Sequence, residues 1–224
     1  MITFFFKFML YILLCCTPVV TLAKDSNLLR EVNNYDGSRW YVEKNDEKYI
    51  LKYINARGVV YSNSAIITSD VEGSGLFLNN NSNGDVSLIM DYPRDLYEFR
   101  FSSGDKASLL SACKQIKLPS TSTKQAVAIL TLCSKSVSAQ VFSKLEAETV
   151  LSSKNLVING RVKTIIGNDK AFLYDGNGLR VNKNPYLIKG DDIEVLEYKN
   201  SFLKVRYMSK NKSVVSWIQF SDIL

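Results

Sequence analysis

The run Asp192-Ile193-Glu194-Val195-Leu196-Glu197-Tyr198-Lys199-Asn200-Ser201-Phe202-Leu203-Lys204-Val205-Arg206-Tyr207 reads as two strands joined by a reversal. In its second half Leu203, Val205 and Tyr207 alternate with Lys204 and Arg206. One face is therefore apolar and the other charged, as in a half-buried strand. Lys199-Asn200-Ser201 supplies the turn chemistry between the halves. Similar short runs flank it: Leu156-Val157-Ile158, Val162 to Ile166, Ala171 to Tyr174, Tyr186-Leu187-Ile188 and Val214 to Phe220. They are punctuated by Asp175-Gly176-Asn177-Gly178, Lys189-Gly190-Asp191 and Lys210-Asn211-Lys212. Several short strands without a helix predict a small β-barrel over residues 156–224.

Moving towards the N-terminus, a polar connector, Ser152-Ser153-Lys154-Asn155, marks a domain boundary. Before it, residues 104–118 and 124–151 space Ala107, Leu109, Leu110, Ala112 and then Ala126, Val127, Ile129, Leu130, Leu132 in a way that suits helices, with Pro119 to Thr123 as the loop between them. Further back, Arg39 to Val42, Lys48 to Ile54, Gly58 to Tyr61, Ala65 to Thr68, Gly75 to Leu78, Val86 to Met90 and Leu96 to Phe101 form an antiparallel meander, with Asn83-Gly84 as its clearest turn. Tyr97, Phe99 and Phe101 line the face expected to point inward. The fold class is thus mainly β, α+β overall: an antiparallel β-rich domain with a helical annex at 24–155, then the barrel.

Composition fits a globular chain. Of 224 residues 46% are hydrophobic and 22% charged, with a formal net charge of +6 and no histidine. Without imidazole there is no Ser-His-Asp or Cys-His nucleophile and no usual zinc-hydrolase site. Residues 1–23 read as a signal peptide: Lys7, the apolar run Phe8 to Cys16, Pro18, then Thr21 and Ala23 before a cut. The alternative, a transmembrane anchor, is disfavoured because Pro18 interrupts the apolar run, and no span is expected once the segment is cleaved. Cys113 and Cys133 then remain as an even pair in an exported chain, and a bridge between them would contribute about 3 kcal/mol in the loop-entropy picture. The expected location is periplasmic or secreted.

The stretch Tyr186-Leu187-Ile188-Lys189-Gly190-Asp191, then Ile193 to Leu196, Phe202 to Tyr207 and Ser216-Trp217-Ile218, resembles bacterial Src-homology-3-like domains over residues 162–224. The shared order is a Lys-Gly-Asp turn, an apolar-acidic-Val-Leu strand, an aromatic-led strand ending in Val-x-Tyr and a late Trp-Ile. The chain departs from that pattern at Ser216, where the family often has glycine. The resemblance implies a ligand-binding or positioning module of envelope proteins, not catalysis. Tyr174, Tyr198 and Trp217 are the candidate contact residues, the alternative being that their rings complete a small core.

Charge is uneven, with eleven basic and seven acidic residues from Arg161 to Leu224. That bias suits an anionic wall polymer or an acidic partner, while dispersed lysines in an exported chain argue against nucleic acid. Ser-x-x-Lys recurs from Ser103, Ser111, Ser201 and Ser209 without its companion motifs, as chance produces in a chain rich in both. Asp91, Asp95 and Glu98 are close enough in sequence to raise a carboxylate-pair hydrolase. No phosphate loop, dinucleotide fingerprint or Cys/His cluster occurs, so no cofactor and no metal are expected. The leading expectation is an exported, non-enzymatic binding protein whose barrel recognises a cell-wall peptide or an envelope or secreted protein. The alternative is an immunity-type inhibitor of a toxin or wall hydrolase.

Overall fold

A computed structural model describes residues 28–120, 127–135 and 141–224. The signal-peptide reading, with Cys15 and Cys16, and the end of the Pro119 to Thr123 loop lie outside the described residues.

The chain is mainly β and its sheets are antiparallel. Strands β1 (Leu28–Asn33), β2 (Arg39–Asn45), β3 (Lys48–Ile54) and β4 (Val60–Asn63) form a four-stranded meander. Alternation in β3 sends Tyr49, Leu51 and Tyr53 inward and leaves Lys48, Ile50 and Lys52 on the other face. A second meander follows: β5 (Leu76–Asn80), β6 (Val86–Asp91), β7 (Asp95–Ser102), β8 (Ser108–Pro119), β9 (Val127–Ser134) and β10 (Leu156–Ile158) make one six-stranded sheet. The reversal between β5 and β6 uses Gly84 at φ +82°, with its N–H donating to the carbonyl of Asn81.

The helical annex is not what the chain builds. Residues 108–119 and 127–134, expected as helices, are β8 and β9, and among the described residues of this region helix is confined to a 3-10 turn at Phe142–Lys144 and one turn, α1 (Ala147–Val150). Two features hid the strands. In β8 the inward residues are Ala112, Lys114, Ile116 and Leu118, so a lysine interrupts the apolar alternation. In β9 the outward positions Val127 and Ile129 are themselves apolar, which erases the contrast between faces. The β-branched content of β9 favours a strand, and pairing with β8 outweighs the local spacing. Ala65 to Thr68, expected as a strand, is a loop whose Ile66 and Ile67 are buried.

After Gly160 come β11 (Val162–Ile165), β12 (Lys170–Phe172), β13 (Tyr186–Ile188), β14 (Asp192–Lys199), β15 (Phe202–Ser209) and β16 (Lys212–Gln219). They form a sheet in the order β11-β14-β15-β16 and a ribbon β12-β13, and the expected barrel is not closed. Tyr174 makes a one-residue bridge to Trp217. The sheet buries its inner residues Ile193, Val195, Tyr198, Leu203, Val205 and Ile218 in a cluster shared with Ile116, Leu118, Leu130, Leu132 and Leu156 of the six-stranded sheet. The six-stranded sheet thus caps the open side of the C-terminal one. Its inner face serves two cores, because Leu76, Leu88, Met90, Phe99 and Phe101 pack instead with Trp40, Leu51 and Tyr53 of the first meander.

Candidate functional site: an aromatic cleft on the C-terminal sheet

Register places the three candidate aromatics on different faces. A bulge at Leu196 in β14 shifts the alternation, so Tyr198 turns inward. It is 7% exposed and meets Phe220 edge-on, with ring centroids 5.8 Å apart. Trp217 belongs to the opposite, solvent-facing side, where it stands across from Lys204 in β15. Tyr174 joins it through paired backbone hydrogen bonds: its N–H donates to the Trp217 carbonyl at 2.8 Å and the Trp217 N–H donates back at 3.1 Å. Tyr174 is itself buried, its ring edge-on to Phe202 at 5.1 Å. The structure therefore brings together Tyr174 and Trp217 and adds Phe202, which the sequence reading left out of the site. Phe202 was legible as strand-leading but not as a neighbour of Tyr174, since 28 residues and a crossover separate them.

Trp217 and Phe202 line a shallow cleft of about 320 Å³ together with Asp175, Asn177, Lys199 and Asn200, while Tyr174 packs against Phe202 without reaching it. The cleft keeps its shape through turn chemistry. Asp175 Oδ1 accepts the backbone N–H groups of Asn177 at 2.9 Å and Leu179 at 3.0 Å, fixing the loop that faces the indole. A Cβ on Gly176 would lie 4.0 Å from Trp217 Nε1, so the glycine leaves the space before that donor open. Trp217 Nε1 makes no hydrogen bond to any described residue. Lys204 Nζ lies 5.8 Å from the centre of the indole and 3.5 Å from Glu197 Oε2, a row of alternating chemistry across the sheet. At Ser216, where glycine was expected, the chain is mid-strand and the hydroxyl donates to the Tyr174 carbonyl at 3.0 Å, bracing the same bridge.

The three acidic residues raised as a hydrolase pair do not converge. Asp95 lies on the inner face of the six-stranded sheet and holds Lys114 at 2.7 Å. Glu98 is on the outer face, accepting the Ser87 hydroxyl at 3.0 Å. Asp91 lies 3.7 Å from Lys117. Among the Ser-x-x-Lys serines, Ser103 accepts hydrogen bonds from Asn34 Nδ2 and Trp40 Nε1 at 2.8 and 2.9 Å, a packing role at the end of the first core.

Cys113 and Cys133 face one another across β8 and β9 as a direct register pair, with Cα atoms 4.0 Å apart, and are disulfide-bonded. The bond joins neighbouring strands at the outer face of the sheet. Such a bond is compatible with an exported protein in an oxidising compartment. Among the described residues no helix is long and apolar enough to cross a membrane. No known protein family, curated protein or solved structure matches the chain.

Proposed function

We propose that this chain is a non-catalytic binding protein of the bacterial envelope, exported to a periplasmic or extracellular compartment, whose C-terminal Src-homology-3-like module takes a cell-wall peptide at the Trp217 cleft. One observation carries the reading: Trp217, with Phe202 beside it, presents its ring to a glycine-walled cleft on the solvent side, and its Nε1 donor bonds to no described residue. An aromatic platform beside fixed polar groups binds peptide backbones at low entropic cost. Co-sedimentation with purified sacculi tests it. The wild-type chain should be retained at low and high salt, and Trp217→Ala should cut retention about tenfold without moving the thermal midpoint. Loss of retention together with loss of fold would withdraw the site assignment, and a wild-type chain that stays in the supernatant would overturn the wall ligand. Release of soluble fragments would instead make the chain an enzyme.

A second reading, an inhibitor that covers a toxin or wall hydrolase, draws on the outer face of the six-stranded sheet. Val127 and Ile129 of β9 there are exposed by 46 and 52%. Neighbouring apolar side chains on an exposed sheet face mark a protein-binding surface. A stable one-to-one complex with a wall-cleaving enzyme, weakened by Ile129→Lys, would favour this reading over the first.

A further inference from the structure

The ribbon of β12 and β13 turns one face to the core and the other to solvent. Ala171 and its register partner Leu187 are 0 and 6% exposed, so the flanking pairs, Lys170 with Ile188 and Phe172 with Tyr186, stand together on the outer face. On that face rings and cations alternate. The Arg180 guanidinium lies over the Phe172 ring, 4.0 Å from its centre, Phe172 meets Tyr186 edge-on at 6.1 Å, and Lys170 Nζ lies 5.1 Å from the centre of the Tyr186 ring. Arg180 is held there by its backbone. It bridges Tyr174, and that bridge is flanked by the Asp175 N–H donating to the Leu179 carbonyl at 2.9 Å and the Val181 N–H donating to the Leu173 carbonyl at 3.0 Å. Neither Lys170 nor Arg180 forms an ion pair with a described residue. Tyr186 and Ile188 are 47 and 52% exposed, so apolar surface lies open beside the two cations.

This geometry selects the ligand. A guanidinium seated on a ring is positioned before any ligand arrives, and Arg180 makes no hydrogen bond to a described residue, so its N–H groups are open to a carboxylate. The acidic residues of the same stretch do not supply one. Asp175 accepts the N–H groups of Asn177 and Leu179, Asp191 accepts the Ile188 N–H at 2.9 Å, and Asp169 pairs with neither cation. Backbone pairing along β13 is also closed at Ile188, whose carbonyl accepts the Asp191 N–H at 3.0 Å, so recognition falls to the side-chain face. A sugar acid is the poorer match, since both rings are already covered on one side by Arg180 and Lys170, and Ile188 offers apolar area that a sugar does not use. Arg and Tyr beside exposed aliphatic carbon are the composition of a protein interface centre, and two unpaired cations there call for acidic residues among apolar ones in the partner.

We propose that the outer face of the β12 and β13 ribbon docks an extended acidic segment of a partner protein, with carboxylates on Arg180 and Lys170 and an apolar side chain on Tyr186 and Ile188. None of these residues lines the Trp217 cleft, so the site does not depend on the wall-peptide reading. Calorimetric titration of the full chain with the acetylated, amidated peptide Glu-Leu-Glu-Leu-Glu tests it. Binding should occur at low salt, weaken as salt rises and vanish for the glutamine counterpart of the peptide. It should fall about tenfold in Arg180→Gln and severalfold in Tyr186→Ala, at an unchanged thermal midpoint. Arg180→Lys should also fall severalfold, because an ammonium keeps the charge but loses the planar fork. Lys48→Gln, at an exposed cation elsewhere, and Trp217→Ala should bind as the wild type does. No binding, equal loss in Lys48→Gln or Trp217→Ala, or full binding in Arg180→Lys would overturn the proposal. So would a fall in the thermal midpoint alongside the lost binding, which would make Arg180 a structural residue. Tighter binding of a galacturonate oligomer of equal charge would also overturn it, assigning an acidic glycan in place of a protein partner.

Discussion

At the scale of single residues, chemistry that looks alike in the sequence divides by face. Tyr198 and Trp217 are both aromatic strand residues, yet one fills the core shared by two sheets and the other stands over an open cleft. Tyr198→Ala should therefore cost about 3–5 kcal/mol of stability by cavity formation, read as a lower denaturant midpoint. Trp217→Ala should leave that midpoint within about 1 kcal/mol, because a surface truncation leaves no sealed void. Equal destabilisation by both would mean that Trp217 is structural. Tyr92 offers a titration. Burial pushes its phenol up to about 12, the nearby Asp70 adds to the rise, and the hydrogen bond with Thr68 opposes it. Between about pH 10 and about pH 12 the native state keeps a proton that the unfolded chain loses, so stability falls as pH rises through that window. Urea midpoints at about pH 9 and about pH 11 should show a decline that is smaller in Tyr92→Phe, and an identical decline in the variant would remove Tyr92 as its source.

At the scale of elements, the junction of β8 and β9 bears the most. Ile116 and Leu118 in β8, and Leu130 and Leu132 in β9, cap the C-terminal core from the sheet that also encloses the first core. The Cys113–Cys133 bond holds this pair of strands together at a register position, across a connection that spans 20 residues. Reduction, or Cys113→Ser with Cys133→Ser, should lower stability by about 2–4 kcal/mol, with hydrogen exchange rising first in β9 and β10. Equal loosening of β2 and β3, far from the bond, would argue that the bond acts on the unfolded chain as a whole.

At the scale of the whole molecule, β10 pairs with β9, so the strand following the polar connector belongs to the six-stranded sheet. The C-terminal sheet does not finish its own core, since the residues that cap it come from β8, β9 and β10. Urea unfolding of the full chain should consequently show one cooperative transition, with tryptophan fluorescence from Trp40 and Trp217 changing together. Residues 161–224 expressed alone should be markedly less stable than within the full chain. Two separated transitions would show that the cores are independent.

The sequence alone determined the β-strands whose faces contrast: β3, β7, β14 and β15 follow from alternation, and their turns from Asn, Gly and Asp at the reversals. It also determined the cysteine pairing, because only two cysteines remained beyond the expected signal segment. Tertiary structure decided what alternation could not carry. Lys114 reads as a break in an apolar pattern until Asp95 and Tyr97 surround it, and β9 reads as a helix because both of its faces are apolar. The division of Tyr198 from Trp217 rests on one bulged residue, and the union of Tyr174, Phe202 and Trp217 rests on a crossover. Periodicity reports the environment of a residue relative to its own strand, whereas a cleft is made between strands distant in sequence, and the six-stranded sheet shared by two cores is likewise a contact that no single strand records.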